Sequence, residues 1–313
     1  MQIKGVFKQT GERRFLRTLI SQKYLLLLLL PGIAATFVFS YLPMYGILIA
    51  FKQFNPLHGI WGSKWIGLQN FKELFDAVLF WRAFKNTIVL NLYQILFAFP
   101  GPILFALLLN EIRNVVFKRW MQTVTYFPHF LSWVVVGGFA VAILSPNTGV
   151  LATITEWFGG ERYSEFLLTD PKAFRTILIV TELWKNMGWG AIIYLAAITG
   201  VNPEYYDAAV IDGAGRFKQA LHVTLPAIMP TIVVLLVLRI GNMMGSDFEQ
   251  IYVLYSPNVY EVGDVLSTYV FRLGLFQGKY SYTTAVGLFQ SIIGFTLIVL
   301  ANRLSRRAGG ALW

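Results

Sequence analysis

Glu182, Lys185, Asn186 and Trp189 lie three and four residues apart, so a helix through them brings a carboxylate, an ammonium, an amide and an indole onto one face. Arg239, Asn242 and Ser246 make a similar stripe further on, and Asn91 and Gln94 add amides to an earlier segment. The surrounding sequence is apolar, and polar groups in such surroundings face a cavity or a partner helix rather than hydrocarbon. Two kinds of chemistry suit them. One is recognition of a polar solute; the other is hydrogen bonding between helices, with a Glu182-to-cation pair as one form and Lys185, one turn from Glu182, as the natural partner. Arg239 carries a further expectation, because a guanidinium matches carboxylate geometry and so suits an anionic solute such as a uronate oligosaccharide.

Several other chemistries find no residues to carry them. The chain has no cysteine, which excludes disulfides, thiolate metal sites and cysteine nucleophiles. His58, His129 and His222 stand too far apart for ligand spacing and read as structural or surface residues, so no metal is expected. An intramembrane enzyme would need a motif such as His-Glu-x-x-His, which is absent, and the Gly263-Asp264 pair falls in a segment predicted to lie outside the membrane. The string from Gly274 to Gly278 and Lys279 is one residue short of a Walker loop and lacks its Ser or Thr, so ATP hydrolysis is assigned to a partner.

The elements that must position the polar stripes are membrane helices. With 313 residues, 56% hydrophobic and 13% charged, and a mean hydropathy of +0.58, most of the chain has lipid as its solvent. The net charge of +10 is then better read as membrane topology than as a footprint for nucleic acid. A bilayer core needs about 20 apolar helical residues, and six segments qualify: 24–50, 85–110, 123–144, 173–199, 223–245 and 284–303. The expected fold is all-α, a polytopic membrane protein of one domain over 1–313, with the first segment retained as a span because it is too long for a signal peptide.

An even number of spans puts both termini on one side. Lys4, Lys8, Arg13, Arg14, Arg17 and Lys23, together with Arg113, Lys118, Arg119, Arg216, Lys218, Arg303, Arg306 and Arg307, make that side the cytoplasm. Trp61, Trp65, Trp81, Trp157 and Phe158 gather in the outer loops as interfacial anchors, in preference to sugar stacking. Pro43, Pro100, Pro102 and Pro146 predict breaks or kinks, and Gly241 with Gly245 predicts a small-residue face for close helix contact.

Between the fourth and fifth spans lies a different signal. Asn202 is a cap, Pro203 suits a first helical turn and Glu204 favours the positive end of the dipole, so a short helix begins there. Asp207, Ala208 and Ala209 continue it with small residues that admit another surface, and 212–215 supply a turn. A second short helix over 216–222 is predicted to lead into Leu225 and Pro226 at the mouth of the fifth span. Asp207-Ala208-Ala209, then Gly213 after three residues, then Val223-Thr224-Leu225-Pro226 after nine more, resemble the EAA loop of binding-protein-dependent ABC importer permeases. The departures, Asp for Glu and Val for Ile, keep charge and shape.

The resemblance extends along nearly the whole chain. Leu108-Leu109-Asn110-Glu111, Trp184-Lys185, Phe248-Glu249-Gln250-Ile251 and Ala285-Val286-Gly287-Leu288 look like the six-span carbohydrate branch of that family, nearest the subgroup for polysaccharides and complex oligosaccharides, alginate included. The resemblance implies a type I importer permease in a prokaryotic cell membrane. It also implies a second homologous permease completing the pore, two ABC ATPase subunits binding ATP and Mg, and an extracytoplasmic solute-binding protein delivering oligosaccharide. It assigns ATPase coupling to Asp207, Ala208, Ala209, Gly213 and Leu225. Because helices flanking this loop line the substrate site in related sugar permeases, it turns attention to Glu182, Asn186, Trp189, Arg239, Asn242 and Ser246. A channel or secondary transporter remains an alternative on the buried charges alone, as does an intramembrane enzyme.

Overall fold

The computed structural model describes residues 22–146, 148–159, 166–245 and 247–306. Long helices dominate: α1 (Lys23–Phe51), the 34-residue α3 (Val78–Glu111), the pair α4 (Val115–Phe130) and α5 (Trp133–Leu144), α7 (Pro171–Thr199), α9 (Arg216–Gly241) and α12 (Tyr280–Ser305). Shorter helices lie between them: α2 (Gln69–Asp76), α6 (Val150–Trp157), α8 (Pro203–Ile211), α10 (Phe248–Leu254) and α11 (Leu266–Phe276). A small antiparallel ladder pairs Lys52–Gln53 with Lys64–Trp65.

Among the described residues, α1, α3, α9 and α12 are each long and apolar enough to cross a membrane, and α4 with α5 passes if counted as one span. The 29 residues of α7 reach roughly 43 Å, enough to span, although Lys172, Arg175, Glu182 and Lys185 set its composition apart.

The prolines do not break these helices. In α1, α3 and α9 a widened π-helical turn (Phe37–Tyr41, Gln94–Ala98, Ala220–Thr224) ends two residues before Pro43, Pro100 and Pro226 respectively. The residue preceding each proline donates its N–H five residues back: Leu42 to Phe37 O, Phe99 to Gln94 O and Leu225 to Ala220 O. A proline ring collides with the carbonyl four residues earlier in a regular helix, and the extra residue in the turn moves that carbonyl aside. The short helix predicted over 216–222 therefore does not end. It runs through its π turn into α9 as one helix, which stops at Gly241 rather than at 245.

The third predicted span, 123–144, is also corrected, since α4 and α5 meet at an angle of 103°. Pro128 sits in the last, tight turn of α4, and the Ser132 hydroxyl accepts from Val135 N at 3.3 Å to start α5 afresh.

Three apolar clusters share α3 as a common mast. Phe80 and Ala83 pack with Leu266, Tyr269, Tyr282 and Val286 from α11 and α12; Leu90 packs with Ala140, Leu178 and Ile251; Ile103 and Ala106 pack with Ala191, Ile198 and Ile228 from α7 and α9. Backbones approach closely where glycine permits. A Cβ on Gly188 of α7 would lie 2.2 Å from Thr125 O of α4, and one on Gly241 would lie 2.8 Å from the Ile298 side chain. The predicted small-residue face is thus half right, because Gly241 makes the contact while Gly245 lies past the helix end with open space around it. Gly188→Val is expected to lower the apparent melting temperature of the detergent-purified protein, by an overpacking cost of about 1–3 kcal/mol. Gly138→Val on α5, where nothing lies within 4 Å of the new Cβ, is the control that leaves it unchanged.

Candidate functional site

Two regions gather the residues singled out by sequence, and they lie at different heights along α3. At the end of α3, Arg216 at the start of α9 donates to Glu111 at 3.2 Å. Near its beginning, Asn86 donates to the carbonyls of Glu261 (2.9 Å) and Asp264 (3.1 Å) and accepts from Arg175 at 2.9 Å. At roughly 1.5 Å per residue these two anchors mark opposite ends of the molecule.

The end marked by Glu111 presents α8. Asn202 accepts from Glu204 N at 3.1 Å, Pro203 opens the first turn, and none of the nine residues of α8 is buried. Gly213 closes the turn at φ 73°, a left-handed conformation that glycine adopts without steric cost. Beyond it, Gln219 donates to Ala214 O at 2.7 Å and Tyr206 is hydrogen-bonded to Thr224 at 2.9 Å, which ties α8 to the π turn of α9. Asp207, Ala208 and Gly213 are exposed and Ala209 is half-buried, while Leu225 packs beside the cluster around Ile228. Ile211 is 86% exposed and Phe217 81%, two large apolar side chains left uncovered by the described residues.

Midway along α3, the second region is a cleft of about 350 Å³ between α3, α4, α7 and α9. Glu182, Asn186, Trp189 and Arg239 all line it, so four of the six residues expected along a solute path do meet. Asn242 does not join them. It caps the end of α9 and lines a neighbouring cavity of about 650 Å³ with Gly287, Gln290 and Ser291, and Arg239 borders both spaces. Ser246 lies outside the described residues.

Two further residues complete the cleft. His129, read from the sequence as a structural or surface residue, donates from Nδ1 to Asn186 Oδ1 at 2.8 Å and stacks on Trp189 at a centroid distance of 4.5 Å and 3° between planes. Its position in the turn between Pro128 and the α5 cap was the available signal. Gln94, one of the two amides that the sequence places on the earlier segment, accepts from Arg239 through Oε1. Arg239 also meets Asp247 at 3.7 Å. Asp247 is itself held at φ 67°, the one left-handed residue other than glycine among those described.

Lys185 was expected to pair with Glu182, and the structure corrects the partner. Its ammonium donates to the carbonyls of His129 (2.6 Å), Leu131 (2.7 Å) and Pro128 (3.5 Å) and lies over the Trp133 ring at 5.5 Å. The His129 and Leu131 carbonyls lie where α4 stops, Pro128 O already accepting from Leu131 N at 3.1 Å, and a cation there also meets the negative end of the helix dipole. Lys185 therefore holds the bend and leaves Glu182, Asn186 and Trp189 facing the cleft.

The cleft offers a carboxylate, a guanidinium, amides and an indole face, which together suit recognition of a polyhydroxylated or anionic solute. They do not make a hydrolytic constellation. Asp264, the acid of the Gly263-Asp264 pair, is 1% exposed, and its two oxygens accept from Arg272 at 3.0 and 2.6 Å and from Thr268 at 2.9 Å. That carboxylate braces the start of α11 internally, while the Asp264 backbone carbonyl accepts from Asn86 of α3.

Residues 81–310 match the family described as the binding-protein-dependent transport system inner membrane component. The chain is 46% identical over 304 residues to the polygalacturonan/rhamnogalacturonan transport system permease protein YteP of Bacillus subtilis (strain 168), covering 97% of this chain and 94% of that one. It is 45% identical to protein LplB of the same organism, over 91% and 89% of the two chains. A crystal structure of a bacterial ABC transporter involved in import of the acidic polysaccharide alginate aligns at TM-score 0.86 and 42% identity, over 94% of this chain and 99% of that chain. A second, of the bacterial alginate ABC transporter in complex with alginate pentasaccharide-bound periplasmic protein, aligns at TM-score 0.87 and 41% identity. The helical order that hangs three clusters on α3 is thus the fold of ABC importer permeases. With nearly half the residues identical along almost the whole length, the chain belongs to the family of binding-protein-dependent transport system inner membrane components.

Proposed function

We propose that this chain is one of two permease subunits of an ATP-driven importer that takes up acidic oligosaccharides across a prokaryotic cell membrane. The observation that carries the reading is α8, a capped helix with no buried residue, displayed with Ile211 and Phe217 at the end of the bundle where α9 begins. Exposed apolar side chains at the end of a membrane bundle suit a protein partner. In this reading the partner is one of two ABC ATPase subunits, which hold ATP and Mg, and Asp207, Ala208, Ala209, Gly213 and Leu225 form the coupling surface.

The chain crosses the membrane six times, α4 and α5 making one bent crossing and α7 another, with both termini cytoplasmic. A second homologous permease completes the pore, and a solute-binding protein delivers substrate at the opposite end. Two bundle states that bind ATPase and binding protein differently let hydrolysis bias which side is open.

The acidic class of solute rests on Arg239 and on the relatives' substrates, since polygalacturonan and alginate are both polyuronates. Arg239 borders both cavities with 28% of its side chain exposed, so part of the guanidinium faces the space that a solute would enter. The test is uptake by the complete complex in proteoliposomes, supplied with loaded binding protein. Arg239→Gln is expected to raise the half-saturation concentration for a uronate oligosaccharide about tenfold or more, the loss of one charged hydrogen bond. Uptake of a neutral oligosaccharide stays as it was; equal losses for both would remove the case for an acidic solute. Transport that persists with no ATPase present would overturn the importer itself.

A further inference from the structure

Of the nine residues of α8, Tyr206 and Ala209 alone are half-buried, and their spacing of three puts them on the inward side of the helix. Among the described residues, the 2.9 Å hydrogen bond between the Tyr206 and Thr224 hydroxyls is the one side-chain bond that joins α8 to a membrane helix. Thr224 is 2% exposed, closes the π turn Ala220–Thr224 and stands two residues before Pro226. The hydrogen-bond ladder of α9 is irregular at this point. Leu225 donates five residues back to Ala220, and Pro226 has no N–H to donate. Helices bend at π turns and at prolines, where the regular ladder is interrupted. The bond from α8 therefore reaches α9 at the turn that yields first.

Beyond that turn α9 is held as a rod. Ile228 and Ile232 pack in the cluster with Ile103, Ala106 and Ala191, and Gly241 lies against Ile298 of α12. Arg239 lies 15 residues past Thr224. At about 1.5 Å per residue that is about 22 Å along the axis, so a tilt of about 5° at the turn carries Arg239 about 2 Å. Such a shift moves the boundary that Arg239 forms between the two cavities.

We propose that Tyr206 is a positioning residue for coupling: its bond to Thr224 grips the π turn of α9, so that a displacement of α8 tilts α9 about that turn and shifts Arg239. The inference rests on the importer reading given above and names the link, inside this chain, through which the ATPase acts. A tyrosine suits the task, since its ring is an apolar strut whose polar tip reaches from a surface helix to a buried partner. Phenylalanine keeps the strut and releases the turn.

The test is a double-mutant cycle in the reconstituted complex, with stimulation of ATP hydrolysis by loaded binding protein as the readout. Tyr206→Phe and Thr224→Val are each expected to lower stimulation about fivefold, the loss of one hydrogen bond, and the double variant to fall no further than either single one. Thr224→Ser keeps the hydroxyl and is expected to keep the stimulation. The ATPase subunits copurify with every variant in the amount found for the unsubstituted chain. Full stimulation in Tyr206→Phe, or losses that add in the double variant, overturns the proposal. So does a Thr224→Ser variant as uncoupled as Thr224→Val, because the hydroxyl is then not what matters. Should Thr224→Val fail to fold, Tyr206→Phe is read against Thr224→Ser alone. Absence of stimulation in the unsubstituted complex would overturn the importer reading, and this link with it, whereas stimulation that survives Tyr206→Phe removes the link and leaves that reading standing.

Discussion

Replacing Lys185 with Met is expected to lower the apparent melting temperature of the purified protein by about 5 °C, the shift that a loss on the order of 3 kcal/mol produces in a protein of this size. The ammonium has three donors, and His129 O, Leu131 O and Pro128 O take them. Pro128 O keeps the Leu131 N–H at 3.1 Å, but without Lys185 the His129 and Leu131 carbonyls lose the donor that the ammonium supplies. A methionine fills the same volume, so the loss reads out hydrogen bonds and charge, together with the contact over Trp133, rather than a cavity. Glu182→Gln is the informative comparison. If an ion pair between the two residues held the bundle, both substitutions would cost about the same. With the lysine committed to the α4 end, Glu182→Gln leaves the melting temperature within a degree or two, since it sits on the cleft wall. The same experiment reports on function, because a relaxed bend displaces His129 from Trp189 and from Asn186.

The bend itself was hidden in the sequence for a reason that applies to most of the cleft. Local signals were legible: Asn202, Pro203 and Glu204 announced α8, and the left-handed turn at Gly213 follows from the residue type. Hydropathy located the long apolar helices, with starts up to seven residues late at α3 and α9, and the single-turn spacing of Glu182, Asn186 and Trp189 placed them together. What failed was anything set by partners distant in sequence. Lys185 looked committed to Glu182 because that residue is one turn away, whereas its acceptors are separated from it by more than fifty positions. Pro43 and Pro100 looked like breaks because composition does not show that a π turn can relieve each of them. The break that does occur needs Pro128, the Ser132 cap and Lys185 together. Gln94 was obscured twice over, since its cation comes from α9 and its orientation depends on which amide atom that cation selects.

Gly213→Val should abolish coupling while leaving the membrane bundle standing. The residue holds φ 73°, where a β-branched side chain is a genuine outlier, and the strain on a non-glycine residue there is about 1–3 kcal/mol. Nothing lies within 4 Å of the Cβ that valine would add, so the effect is on backbone direction alone, with no clash to destabilise the core. The turn relaxes to negative φ and swings α8 away from the π turn of α9, breaking the Tyr206–Thr224 hydrogen bond of 2.9 Å. In the reconstituted complex, stimulation of ATP hydrolysis by loaded binding protein is expected to fall at least tenfold, which needs only about 1.4 kcal/mol between the productive and displaced positions of α8. The melting temperature barely moves, because no residue of α8 is buried. Gly215→Ala is the matched control: φ is −66° there, a Cβ meets nothing within 4 Å, and stimulation stays intact. If both variants couple normally, α8 is not the surface through which this permease reads its ATPase. If Gly213→Val alone uncouples, the direction given to α8 by a single left-handed glycine is what links the nucleotide cycle to α9, and through α9 to Arg239 at the boundary of the two cavities.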